Sequence, residues 1–153
     1  MNWHSIRHFQ KNEFACRCGC NTHFEMDYRL ISTLDWLREI MGVPFIVTSG
    51  FRCPVHNKNV GGASKSFHLT GQAADITVKR KSLLPLIYRV AIVSGKFNGI
   101  GLKENSFIHF DAGNRKTPYY FVYLQRGYKQ LNSDILKRIQ SKTIEEHLKE
   151  YRV

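Results

Sequence analysis

The sequence predicts an α+β fold: a single domain, 1–153, with a small antiparallel sheet and flanking helices. Three observations carry the prediction. The hydrophobic periodicities give two or three helices and about five short strands. The length of 153 residues suits one domain with a core of its own and is short for two. Hydrophobic residues at 42% and charged residues at 23% are ordinary globular usage, without an internal repeat or a linker, which excludes a disordered tail or a fibre.

Residues 1–25 read as irregular, with Phe9, Phe14 and Phe24 packing the segment onto the body. Leu30, Leu34, Leu37 and Met41 recur at helical spacing, so 27–41 is an amphipathic helix ending at Gly42. Pro44 to Thr48 is a short apolar, β-branched run and reads as a buried strand. Residues 54–74, rich in Gly and small polar residues, read as a long loop, and such loops in compact domains are usually functional. Ala74 to Val78 is a strand, and Lys81 to Val93 a helix with Pro85 in its tolerant first turn. Phe97–Lys103 and Phe107–Ala112, separated by Glu104-Asn105-Ser106, form a hairpin pattern, and Tyr119–Leu124 adds a strand. Ile135, Ile139, Leu148 and Tyr151 predict a final helix over about 133–151.

The excess of 23 Lys+Arg over 12 Asp+Glu gives a formal charge of +11, which attracts an anionic partner such as nucleic acid, a membrane surface or a bacterial cell wall. The charge is scattered, and no nucleic-acid-binding motif accompanies it, so a nucleic-acid partner is not expected. No apolar run approaches the roughly 20 residues of a membrane span. The first residues lack the apolar stretch of a secretory signal, so the expected route is synthesis in the cytoplasm. Cys16, Cys18, Cys20 and Cys53 are open to three readings: a disulfide, a bound metal or reduced buried thiols. The C-x-C-x-C spacing is tighter than the usual zinc pairing.

The chemistry concentrates in Ser66-Phe67-His68-Leu69-Thr70-Gly71-Gln72-Ala73-Ala74-Asp75 and in Ile108-His109-Phe110-Asp111. A catalytic zinc takes three ligands from His, Asp, Glu and Cys and keeps a fourth position for water. His68 and Asp75 bracket a Gly-containing turn, which lets two ligands converge. In an extended run Phe107, His109 and Asp111 share one face while Ile108 and Phe110 enter the core. Spacing alone leaves each histidine open between a ligand and a surface or core role. His4, His8, His23, His56 and His147 have no motif support as ligands.

Ser49-Gly50-Phe51-Arg52, His56-Asn57, Val60-Gly61-Gly62, the S-x-H-x-x-G-x-A-x-D pattern at Ser66, His68, Gly71, Ala73 and Asp75, and His109-Phe110-Asp111 occur in that order. Together they resemble the zinc D-Ala-D-Ala carboxypeptidases, which share a metallopeptidase fold with lysostaphin-type peptidases and the hedgehog signalling domain. The opening from His8-Phe9 through Cys20 is similar to a small bacterial and phage branch, and the resemblance covers about 8–113. It implies one catalytic Zn2+ held by His68, Asp75 and His109, and an Arg52 guanidinium at the rim that holds a substrate carboxylate or carbonyl. The competing role for Arg52 is a surface ion pair. Ser66 matches a position lining the substrate side, and a turn hydroxyl bonded to its own backbone is the equal alternative.

The chain departs from its relatives at the general base. Several of them carry an acid three residues before the last His ligand, where this chain has Ser106. Glu104 is the nearest upstream carboxylate and the tentative base; Asp111 is the alternative, or else a group that orients a ligand. The resemblance implies a zinc metallopeptidase cleaving peptidoglycan stem or cross-link peptides, as a DD-carboxypeptidase or endopeptidase, acting on the anionic wall after phage-type release as an endolysin. The alternative is a non-hydrolytic, zinc-containing wall-binding or signalling module.

Overall fold

The computed structural model describes residues 2–150. Two helices and one sheet supply most of the hydrophobic core. Helix α1, Tyr28–Met41, starts where the Asp27 carboxylate accepts from the Arg29 and Leu30 amides, and stops at Gly42 in the left-handed region (φ 63°). Loss of that cap costs about 1 kcal/mol. Its stripe of Leu30, Ile31, Leu34 and Leu37 is wholly buried. Helix α3, Leu84–Ser94, carries Pro85 in its first turn and ends at Gly95 (φ 64°). It buries Leu84, Leu86, Ile87, Val90 and Ile92, and packs on the sheet.

The sheet has six strands: β1 (Ile46–Ser49), β2 (Ala73–Thr77), β3 (Gly99–Lys103), β4 (Phe107–Asp111), β5 (Tyr119–Tyr123) and β6 (Tyr128–Gln130). Their order is β1-β2-β4-β3-β5-β6. The expected antiparallel sheet is found with one exception: β3 and β5 run parallel, because the chain crosses back from β4 before entering β5. Ile76, Ile100, Ile108 and Phe110 point into the core from β2, β3 and β4, and all four are at most 1% exposed. The residues alternating with them, Asp75, Gly99, Gly101, His109 and Asp111, therefore share the opposite face.

The irregular start is held as expected. Phe9 and Phe14 are buried, and Phe24 stacks on Phe51 at 5.4 Å. The long loop is more ordered than its composition suggests. It holds the short helix α2, Pro54–Asn59, opened by Pro54 behind a Cys53 cap, and a 3-10 turn at Phe67–Thr70. The expected last helix is two: α4 (Ser133–Gln140) and α5 (Ile144–Lys149). Thr143 and Glu146 form a reciprocal capping box that begins a new helix, so the apolar period of 135–148 spans a break. Tyr151 lies outside the described residues. Strand β6 was not expected: it is three residues long and all three are exposed, so no apolar alternation marks it. Among the described residues no helix is long and apolar enough to cross a membrane.

Candidate metal centre

Three elements bring His68, Asp75 and His109 together. The 3-10 turn carries His68; the Ser66 hydroxyl caps its start by accepting from the His68 amide at 3.3 Å, and Gly71 closes it at φ 70°. A Cβ at Gly71 would lie 2.0 Å from the Glu25 carbonyl oxygen, so both the backbone sign and the space require glycine. Asp75 and His109 are direct register partners on β2 and β4. His68 Nε2 is 3.3 Å from His109 Nδ1 and 3.3 Å from Asp75 Oδ1, and His109 Nδ1 is 2.9 Å from the same oxygen. Bonds of about 2.0–2.1 Å around a tetrahedral ion set neighbouring ligand atoms about 3.3 Å apart. The spacing of the three ligand atoms suits one zinc-sized cation.

Each of the three side chains is also fixed from behind. His68 Nδ1 donates to the Gly50 carbonyl at 2.7 Å, which turns Nε2 toward the centre. His109 Nε2 donates to Asp111 Oδ2 at 3.3 Å, so Nδ1 is the inward nitrogen. Asp111 is almost completely buried; it accepts from the Gly113 amide and from both terminal nitrogens of Arg115. Asp75 turns its second oxygen to Arg52, whose Nη2 donates to Oδ2 at 2.7 Å while Nε donates to the Ser49 hydroxyl at 2.8 Å.

Burial opposes the charge on Asp75, but hydrogen bonds from His109 and His68 outweigh it and hold its carboxyl well below the usual range. Burial likewise opposes charge on His109, yet Asp111 and Asp75 push its imidazole up to about 9 in the metal-free protein. Asp111 is lowered, against its own burial, by His109 and Arg115. A buried group of two carboxylates around two imidazoles is one that a dication satisfies.

The centre lies in a cleft of about 800 Å³. Arg52, Lys65, Lys103 and Arg115 line it as cations, with Asp75 and Asp111 as its only carboxylates among the described residues. Tyr119, Phe121 and Tyr123 alternate along β5 onto this face, with Tyr128 of β6 against Phe121 at 5.3 Å. Gly101 makes room for that wall: a Cβ there would meet the Phe121 ring at 2.3 Å. Burial pushes the Tyr123 phenol up to about 12, with the Asp75 charge adding to it, so its hydroxyl keeps its proton at neutral pH.

Of the residues singled out in the sequence, Arg52, Ser66, His68, Asp75, His109 and Asp111 border this cleft. Ser66 is both a turn hydroxyl and a lining residue. Arg52 is in an ion pair, a buried one with Asp75. Glu104 is not brought to the site. It is exposed in the three-residue β3–β4 turn, and the cleft is lined by its neighbour Lys103 and by Phe107 rather than by Glu104 itself. The lining residues Lys65, Arg115 and the β5 aromatics were not singled out. The alternation Tyr119, Phe121, Tyr123 was the available signal for the aromatic wall; nothing in the spacing marks Lys65 or Arg115. His8 pairs instead with Glu39, and His147 donates to the Ile139 carbonyl.

A mixed α/β domain whose sheet face presents a His-Asp-His triad at the floor of an open cleft is the arrangement of a metallopeptidase. The Peptidase M15 family matches over residues 7–111, and the chain belongs to this family of zinc D-Ala-D-Ala carboxypeptidase-type metallopeptidases. None of the curated proteins matches the chain.

Proposed function

We propose that the chain is a zinc peptidase that cleaves stem or cross-link peptides of peptidoglycan, as a carboxypeptidase or endopeptidase. The observation that carries this reading is the convergence of His68, Asp75 and His109 beneath a cleft whose rim is cationic. Zinc held there supplies an acidified water and a Lewis acid for the scissile carbonyl. The chain's own groups supply orientation and charge. The guanidinium of Arg52 has donors left after serving Ser49 and Asp75, and with Lys65 and Lys103 it suits a peptide bearing free carboxylates. The protonated Tyr123 hydroxyl is a donor for oxyanion charge developing over the centre. Asp111 holds the His109 ring in its ligating orientation. The net charge of +11 favours approach to an anionic wall, an attraction that salt weakens.

The test is incubation of the zinc-loaded protein with defined muropeptides, with and without chelator. Cleavage abolished by the chelator and restored by zinc is expected, and the released fragment identifies the bond. A second reading, a non-hydrolytic zinc-containing wall-binding or signalling module, is favoured by one observation. Both carboxylates of the cleft are committed, Asp75 to two imidazoles and Arg52, Asp111 to His109 and Arg115. Binding to muropeptides without cleavage of any of them selects that reading.

A further inference from the structure

We propose that Cys16, Cys18, Cys20 and Cys53 form a second metal site, a closed structural zinc held by four thiolates. All four cysteines are free, and one sulfur from each lies within 4.8 Å of the other three. Cys16 Sγ is 3.3 Å from Cys18 Sγ, which is 3.7 Å from Cys53 Sγ. Zinc–sulfur bonds of about 2.3 Å in a tetrahedron place the sulfurs about 3.8 Å apart, whereas a disulfide requires about 2.05 Å. Cysteines around a multi-iron cluster stand farther apart than these, so the spacing suits a single ion.

The tight C-x-C-x-C spacing is resolved by the backbone. Alternate residues of an extended strand project the same way about 6.6–6.8 Å apart. Here Gly19, at φ 74°, closes a turn in which its amide donates to the Cys16 carbonyl, and the three thiols gather on one side. Donors already face the sulfurs: the Cys53 amide to Cys16 Sγ at 3.4 Å, the His56 amide to Cys53 Sγ at 3.3 Å, and the Thr22 hydroxyl to Cys20 Sγ at 3.2 Å. Such bonds stabilise thiolates and orient them as ligands. Cys16 and Cys53 are buried, Cys20 is half-buried and Cys18 is exposed, which leaves an entry path for the ion on the Cys18 side.

The site would clip the N-terminal segment to the loop that shapes the catalytic centre. Cys53 directly follows Arg52, and Gly50, three residues before Cys53, supplies the carbonyl that orients His68. The same loop already meets the segment where the Phe51 amide donates to the Phe14 carbonyl at 2.8 Å. A zinc there acts on the fold, and through Gly50 and Arg52 on the placement of His68 and Asp75.

Zinc content and cobalt spectra test this independently of any peptidase activity. The parent is expected to hold two zinc per chain, and His68→Ala/His109→Ala to retain one. Loaded with cobalt under reducing conditions, that double variant is expected to show thiolate-to-cobalt charge-transfer absorption. Cys18→Ser/Cys20→Ser, changed at the two less buried of the four positions, is expected to hold only the catalytic ion. If this variant fails to fold, titrating the parent's thiols with a mercurial is expected to release one zinc in step with thiol modification. Absence of the charge-transfer absorption, undiminished zinc after thiol modification, or an intact mass lower by the hydrogens of a disulfide overturns the proposal.

Discussion

Arg52 Nη2 donates to Asp75 Oδ2 at 2.7 Å, on the carboxylate whose other oxygen stands 2.9 Å from His109 Nδ1. One arginine thus reaches the candidate metal centre through the Asp75 carboxylate while presenting its remaining donors to the cleft. Arg52→Ala is therefore expected to act twice. Loss of a group that orients a ligand typically weakens metal binding by about 10–100-fold. Competition titration with a zinc chelator reads that loss, and peptide hydrolysis at saturating zinc reads any further loss through substrate. Arg52→Lys keeps the charge without the fork and should recover only part of either. Unchanged zinc affinity in Arg52→Ala would mean that the ion pair does not support the ligand.

Asp111 and Gly99 are expected to behave as a pair. Asp111→Asn leaves His109 Nε2 with a weaker acceptor and Arg115 without a charged one, so zinc affinity should fall by about tenfold or more. Gly99→Ala should disturb the same carboxylate from the other side, because a Cβ at Gly99 would lie 2.0 Å from Asp111 Oδ2. Overpacking of this kind costs about 1–3 kcal/mol. Thermal unfolding of the metal-free Gly99→Ala protein measures it. A midpoint equal to the parent's would show that Asp111 has room to shift.

Protons should compete with zinc for the metal-free centre. His109 is raised to about 9, so at neutral pH binding a cation must displace one proton from it, and apparent affinity should rise about tenfold per pH unit up to that value. Asp75, held well below its usual range, is already ionised and releases none. Calorimetry in buffers of different ionisation enthalpy counts the proton; a count near zero at pH 7 contradicts the shift. Stability of the metal-free protein follows the same groups. The raised His109 contributes fully below about 6.5 and loses its contribution as pH rises through about 9. The lowered Asp75 contributes above about 3.9 and loses its contribution as pH falls through its folded value.

The clustering of His68, Asp75 and His109 was legible because it rests on local rules. A glycine turn between His68 and Asp75 and the two-residue alternation of β4 are visible in one dimension, and the family motif supplied their order. The partners behind the ligands were less legible. The Gly50 carbonyl and the Arg52–Asp75 pair depend on where the 49–53 loop crosses the 3-10 turn, a contact between residues 18 and 23 positions apart. The parallel pairing of β3 with β5 follows from the crossing of the chain, and with it the aromatic wall over Gly101. Glu104 was attractive because sequence distance to His109 is short. Sequence distance does not show that Glu104 occupies an exposed turn position while Lys103 and Phe107 on either side line the cleft.

The last prediction separates the groups that border the reacting centre from the one that does not. Glu104 is exposed at the tip of the hairpin, and Lys103 and Phe107, not Glu104, are the residues of that hairpin's end that line the cleft. Glu104→Gln should therefore keep zinc and leave hydrolysis within about twofold, where loss of a true general base costs about 10²–10⁴. Tyr123→Phe should also keep zinc, since the phenol is no ligand, but lose turnover. Removing one oxyanion donor costs about 10²–10³ in kcat, and a donor that forms only part of the arrangement will fall at the lower end. The pH profile distinguishes a donor from a packing residue. A Tyr123 kept protonated up to about 12 adds no limb below that pH, so the parent and Tyr123→Phe should share the same profile at different heights. If Glu104→Gln loses turnover by 10² or more with zinc retained, the hairpin folds over the cleft during the reaction and Glu104 is the base.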